Sequence, residues 1–191
     1  MLEECGLPYD IKLVNLGENE QFTDSFLKIS PNGRMPAIVD PDGPGREPIS
    51  IFESGAIVEY ILAKHGNGRM RPGEDSPEFP TYLQWLHYAE GMLMPHVNIL
   101  VVETILLPED RRNPVNIDRS KKQLTRMLGA VDQALEGREF LAGEFSGADI
   151  MSGHAATVSA RLGGDISDKP NVAAYIKRLN ERPGLIKAFA T

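Results

Sequence analysis

Ser30-Pro31-Asn32-Gly33-Arg34-Met35-Pro36-Ala37-Ile38-Val39 joins a turn signal to a run of strand-forming residues, with a proline at the junction. A proline opening a buried strand is unusual, because it removes a ladder donor and is tolerated mainly at strand starts, edges or tight turns. Two arrangements account for it. A cis Met35–Pro36 bond turns the Met35 amide and carbonyl outward, free to pair with an extended peptide. A trans proline starts an edge strand, the commoner state of X-Pro bonds. Downstream, Pro41-Asp42-Gly43-Pro44-Gly45 is a turn signal suited to a hairpin, and Pro48-Ile49-Ser50-Ile51-Phe52 alternates apolar and polar as the antiparallel partner. Upstream, Asp10-Ile11-Lys12-Leu13-Val14 alternates in the same way and predicts a further strand. A short helix ending near Cys5, a helix carrying Phe22, Phe26 and Ile29, and another opened near Ser54 with Ile57, Tyr60, Ile61 and Lys64 complete the pattern. The order helix, strand, helix, strand, strand, helix is that of an α/β unit.

The pattern breaks at Gly66-Asn67-Gly68, so the reading sets a first domain at 1–68, a linker at 69–77 and an all-helical domain at 78–191. Phe79, Tyr82, Leu83, Leu86, Ala89 and Leu93 form one apolar stripe, and Leu124, Leu128, Val131 and Leu135 form another between Pro114 and Gly137. Further helices are expected around 170–181 and after Pro183. Phe145-Ser146-Gly147-Ala148-Asp149-Ile150 has the shape of a capping box with a hydrophobic staple, in which the Ser146 hydroxyl accepts the Asp149 amide and the Asp149 carboxylate reaches back.

Composition narrows the function. The 191 residues carry a net charge of −7, with seven bases and thirteen acids over residues 1–77 and thirteen and fourteen over the rest. An acidic chain with no basic stripe lacks the footprint of a nucleic-acid binder. No apolar run approaches the roughly 20 residues of a membrane span. One cysteine and an opening Met-Leu-Glu-Glu point to a reduced, cytoplasmic protein. His65, His87, His96 and His154 are scattered without ligand spacing, so no metal site is expected. Gly-rich phosphate loops and a serine nucleophile elbow are absent. Cys5, near a helix C-terminus that disfavours a thiolate, reads as buried packing material.

At Phe52-Glu53-Ser54-Gly55 a strand runs directly into a helix N-terminus. Its free amides and the Ser54 hydroxyl suit a carboxylate, and Glu53 suits a neighbouring ammonium, which together describe an α-amino acid head group. An ordinary serine cap beside a dipole-favoured acid explains the same residues.

Taken together, Asn32-Gly33-Arg34-Met35-Pro36, Glu53-Ser54 and the box from Ser146 to Asp149 resemble the glutathione transferase superfamily, over nearly the whole chain. Gln21-Phe22 through Asn32 and Pro48 through Gly55 most resemble the bacterial nu-class proteins, which are glutathione-dependent disulfide reductases with transferase activity. The resemblance implies a thioredoxin-like N-terminal domain, a helical C-terminal domain, a homodimer and an active site at the domain cleft. It implies glutathione as co-substrate, bound by Gln21, Arg34, Met35, Pro36, Glu53 and Ser54, with a small electrophile or disulfide as second substrate. Family members open with a strand and a loop that carries the thiol-activating residue. Here Met1-Leu2-Glu3-Glu4-Cys5-Gly6 is similar to the second half of the following helix, so the thioredoxin-like domain is expected to lack its first strand and the activating residue to lie upstream of Met1. Two other readings stand beside this one: a non-catalytic dimerisation or binding scaffold, and an apolar-ligand carrier using Trp85, Tyr88 and Met92.

Overall fold

In the computed structural model, which describes residues 1–190, the chain divides into two compact units, Met1–Asn67 and Gly68–Thr191. The first holds α1 (Leu2–Cys5), α2 (Asp24–Leu27), β1 (Ala37–Asp40), β2 (Ile49–Phe52) and α3 (Ser54–His65). β1 and β2 pair antiparallel with Ala37 opposite Phe52 and Asp40 opposite Ile49, as the turn residues between them require. α3 lies against the hairpin and buries Ile57, Val58, Ile61 and Leu62, the i, i+1, i+4, i+5 face of one helix side.

Two expectations for this unit change. Asp10–Val14 is not a strand: Ile11 is 55% and Leu13 84% exposed, and among the described residues no strand runs beside it. Alternation is a local property, whereas a strand exists only when a neighbour satisfies its backbone groups. The helix expected through Phe22, Phe26 and Ile29 shrinks to the 3-10 turn Glu20–Phe22 and the single turn of α2, because extended backbone at Thr23 separates them. Phe26 is buried while Phe22 is exposed. Cys5 closes α1 as expected, but is half-buried rather than buried.

A charged tie joins the far end of the hairpin to α3. Asp40 accepts from Lys64 Nζ at 2.8 Å and from Tyr60 Oη at 2.7 Å, while Lys64 also donates to the Asp42 carbonyl. The Lys64 bond first, then the Tyr60 bond, holds the Asp40 carboxyl well below the usual carboxylate range. A carboxyl whose pKa falls on folding contributes stability above its unfolded value and loses it as the pH drops through the folded one. The stability gap between the native chain and Asp40→Asn is therefore expected to be full above about pH 5 and to narrow steadily as the pH falls from about 4 to 2, without closing in that range. Melting temperatures of the two proteins between pH 2 and 7 check this.

The second unit is helical: α4 (Phe79–Tyr88), α5 (Met94–Val101), α6 (Pro114–Ala134), α7 (His154–Arg161), α8 (Pro170–Asn180) and α9 (Pro183–Ala190). Residues 69–77, read as a linker, lie with this unit, and the Met70 carbonyl accepts the Gly147 amide at 2.8 Å. α4 and α5 form one 28-residue helical run to Leu106, interrupted by π turns at Ala89–Leu93 and Val102–Leu106. The first π turn precedes Pro95, which has no amide to donate and whose ring crowds the carbonyl four residues back. By length and composition this run is long enough to cross a membrane. Tyr82 and Leu86 along it are nevertheless buried where α4 packs on the turn Asp149–Gly153, and Leu93, Val97 and Leu100 are buried where the run packs on α6, which buries Leu124, Leu128 and Val131. Trp85 and Tyr88 belong to this packing too: their rings tilt together at 4.7 Å and Tyr88 Oη donates to the Met127 carbonyl at 3.1 Å. Of the three residues proposed for an apolar-ligand cleft, Trp85 is buried, Tyr88 half-buried and Met92 exposed.

α6 begins at Pro114, the bound expected from sequence, which takes the first helical position while Asn113 accepts from the Val115 and Asn116 amides. The buried Glu103 holds that start by accepting from the Asn113 amide at 2.7 Å and Asn116 Nδ2 at 3.0 Å.

At Ser146 and Asp149 the hydrogen bonds differ from the expected box. Asp149 Oδ2 accepts the Ser146 amide at 2.9 Å and also the Ser146 hydroxyl at 3.0 Å, while the Asp149 amide turns to the Ser146 carbonyl. Asp149 Oδ1 accepts the Leu141 amide at 3.0 Å and Tyr175 Oη at 2.7 Å. A carboxylate that is 1% exposed needs donors, so the hydroxyl serves it rather than the helix amide. Burial raises the Asp149 carboxyl pKa, and these four donors oppose the shift.

Candidate functional site

The hairpin register decides which segments meet. β1 starts and β2 stops at the pair Ala37–Phe52, so Met35-Pro36 and Glu53-Ser54 leave the ladder side by side at the same end. The Met35–Pro36 bond is cis, the rarer of the two arrangements open to the sequence. Met35 is 43% exposed and lies outside the strand pairing. Arg34, Pro36 and Glu53 are exposed and Ser54 is half-buried, so the hairpin end presents backbone and side-chain groups to solvent.

Ser54 is the first residue of α3 rather than its cap. The cap is Glu53, whose side chain makes no capping bond. The serine-cap explanation of Glu53-Ser54 therefore does not describe this helix, and its N-terminal dipole faces outward beside Met35. Glu53 adopts φ 73° and ψ 116°, a conformation that side-chain-bearing residues rarely take. Such backbone costs about 1 to 3 kcal/mol and persists where surrounding structure over-determines it. Sequence carries no signal for it, since glutamate is not among the residues enriched at positive φ.

The loop before Pro36 is tied from within. Ser30 is fully buried; its hydroxyl donates to the Arg34 carbonyl at 2.8 Å and accepts the Arg34 amide at 3.3 Å, while its carbonyl accepts the Gly33 amide at 2.9 Å. Gly33, at φ 61°, packs so closely that a Cβ there would stand 2.9 Å from the Gln21 carbonyl oxygen and 2.8 Å from the Phe22 ring. That contact brings Gln21 to the same loop. Its side-chain Oε1 is buried and has no hydrogen-bond partner among the described residues. Ser30 was legible only as part of a turn; serine ahead of Pro-Asn-Gly commonly bonds its own turn backbone.

No group of three or more His, Cys, Asp or Glu side chains suited to a metal occurs among the described residues. A cleft of about 320 Å³ in the second unit, lined in part by Met70, Arg71, Glu78, Phe145 and Ser146, contains none of the residues at the hairpin end.

Comparison with known proteins matches both parts of the chain to one family. Residues 1–64 match the family model for the glutathione S-transferase N-terminal domain, and residues 93–183 that for the C-terminal domain. The disulfide-bond oxidoreductase YfcG of Escherichia coli is 35% identical, with 98% of this chain and 86% of that protein aligned. Glutathione S-transferase 3 of Schizosaccharomyces pombe is 30% identical over 96% of this chain and 77% of that protein. Among solved structures, a glutathione transferase from Burkholderia graminis with two glutathione molecules bound per subunit superposes with a TM-score of 0.87 at 32% identity, covering 100% of this chain and 80% of that one. A glutathione transferase from Pseudomonas putida with one glutathione disulfide bound per subunit gives 0.82 at 29% identity, covering 97% and 82%.

Proposed function

Since the chain belongs to the glutathione S-transferase family, we propose that it binds glutathione at the hairpin end and presents the glutathione thiolate to an electrophile or a disulfide. The observation that carries this is the juxtaposition of Met35-Pro36 with Glu53-Ser54 at the N-terminus of α3. The Met35 backbone pairs with the main chain of the cysteinyl residue, as a strand pairs with an extended peptide. The Ser54 hydroxyl and the first amides of α3 hold the γ-glutamyl carboxylate, and Glu53 holds its ammonium. Gln21 Oε1 accepts an amide of the tripeptide, and the Arg34 guanidinium attracts its second carboxylate. The names of YfcG and of the disulfide-bound relative support disulfide reduction, and the transferase relatives support transfer.

Both reactions use the same nucleophile. In transfer, the thiol gives its proton to solvent, the sulfur–carbon bond forms, and the leaving group departs with the electron pair of the bond that breaks. In reduction, the thiolate attacks one sulfur of the disulfide and releases the other as a thiolate. A second glutathione then attacks the mixed disulfide, so that two glutathiones are oxidised to one glutathione disulfide while the substrate disulfide gains two electrons and two protons. Neither reaction requires a protein cysteine, since the glutathione thiol is itself the nucleophile. A second copy of the chain covers the exposed apolar row Met92, Ile99 and Val102 on the long helical run, giving a homodimer.

Isothermal titration with glutathione tests the reading. Ser54→Ala is expected to weaken binding by about 1 to 3 kcal/mol, the scale of a hydrogen bond to a charged group. Unchanged affinity removes Ser54 from the site, and a native chain that takes up no glutathione returns the protein to the scaffold reading.

A further inference from the structure

We infer that Ser30 is a positioning residue that aims the Met35 N–H at the bound peptide; the assignment rests on the glutathione reading above. The Arg34–Met35 peptide is trans, as only Met35–Pro36 is cis among the described residues. In a planar trans peptide the C=O and the N–H point in opposite directions. Ser30 Oγ is buried and holds the Arg34 carbonyl at 2.8 Å, so that end of the peptide plane is drawn into the protein. The other end of the same plane is the Met35 N–H, which must then face away from Ser30, toward the open end of the hairpin. The same hydroxyl takes the Arg34 amide at 3.3 Å, and the Ser30 carbonyl takes the Gly33 amide at 2.9 Å. One fully buried residue therefore fixes both peptide planes flanking Arg34, immediately ahead of the residue that pairs with the ligand. With those planes set before binding, the ligand does not meet the cost of ordering the loop. Ser30 itself never touches the ligand.

The test titrates the native protein, Ser30→Ala and Ser54→Ala with glutathione by calorimetry and follows the Met35 and Ser54 amide signals by ¹⁵N-resolved NMR. Ser30→Ala is expected to lower glutathione affinity about tenfold, the scale of one lost hydrogen bond expressed as binding. The Met35 amide should lose its glutathione-induced shift while the Ser54 amide keeps its own, a split that general loosening of the unit would not produce. Affinity within twofold of native, with the Met35 shift intact, overturns the assignment. Should the alanine variant fail to fold, Ser30→Thr and Ser30→Val carry the test, because they share a shape and differ only in the hydroxyl. Threonine is expected to bind about tenfold more tightly than valine, and equal affinity overturns the assignment. The native titration separates the two ideas: a native chain that binds no glutathione defeats the proposed function, whereas a native chain that binds it beside an unaffected Ser30→Ala defeats only the role of Ser30.

Discussion

Asp149→Ala is expected to destabilise the second unit by about 4 kcal/mol, the largest loss of any single side chain considered. The carboxylate gathers four donors in the interior: the Leu141 amide, the Ser146 amide and hydroxyl, and Tyr175 Oη. Alanine leaves the two amides and the phenol buried without acceptors, and each such group costs about 1 to 3 kcal/mol. Ser146 Oγ can rotate to another partner, which keeps the sum below the simple total. Tyr175 is fully buried, and burial first, then the neighbouring Asp149 charge, raises its hydroxyl pKa well above the usual value, so it stays a donor at any working pH. Asp149→Asn keeps the shape and one acceptor oxygen but turns an amide donor toward at least one of these donors, and about half the alanine loss is expected. Urea unfolding of the three proteins checks the order. A loss under about 1 kcal/mol for Asp149→Ala shows that the loop at Leu141 and the helix carrying Tyr175 are held by packing alone.

That network also marks where reading from sequence runs out. Ser146 and Asp149 lie three residues apart, so their pairing is local and visible in the chain, whereas Leu141 and Tyr175 reach the same carboxylate only through the fold. The hairpin of β1 and β2, α3 and α6 were legible for the same reason: turn residues, helix periodicity and the bounding Pro114 act within a few positions. Asp10–Val14 has as clear an alternation as β2, yet remains unpaired, because a strand depends on a neighbour that its own residues do not encode. At the candidate site the residue types were readable at Met35-Pro36 and Glu53-Ser54, but not the positive φ of Glu53 or the inward bonds of Ser30. Those are properties of how the chain is held.

Gly33 bears on whether the loop geometry or its residue types make the site. Gly33→Ala is expected to cost about 3 kcal/mol in stability, in two separable parts. A left-handed φ of 61° costs a side-chain-bearing residue about 1 kcal/mol or somewhat more. The rest is collision. The new Cβ would lie 2.8 Å from the Phe22 ring, which is exposed and able to swing away, but also 2.9 Å from the Gln21 backbone carbonyl, which can retreat only by moving the Glu20–Phe22 turn. Gly45 supplies the control in the same unit, at φ 75° with nothing within 4 Å of an added Cβ. Gly45→Ala therefore measures the backbone cost alone, about 1 kcal/mol. Because the Gly33 collision displaces Gln21 and loosens the turn that Ser30 holds, glutathione affinity should fall at least tenfold in Gly33→Ala and stay native in Gly45→Ala. Equal stability losses in the two variants, or a Gly33→Ala protein that binds glutathione as the native chain does, would falsify the claim that close packing of Gly33 against Gln21 shapes the binding loop.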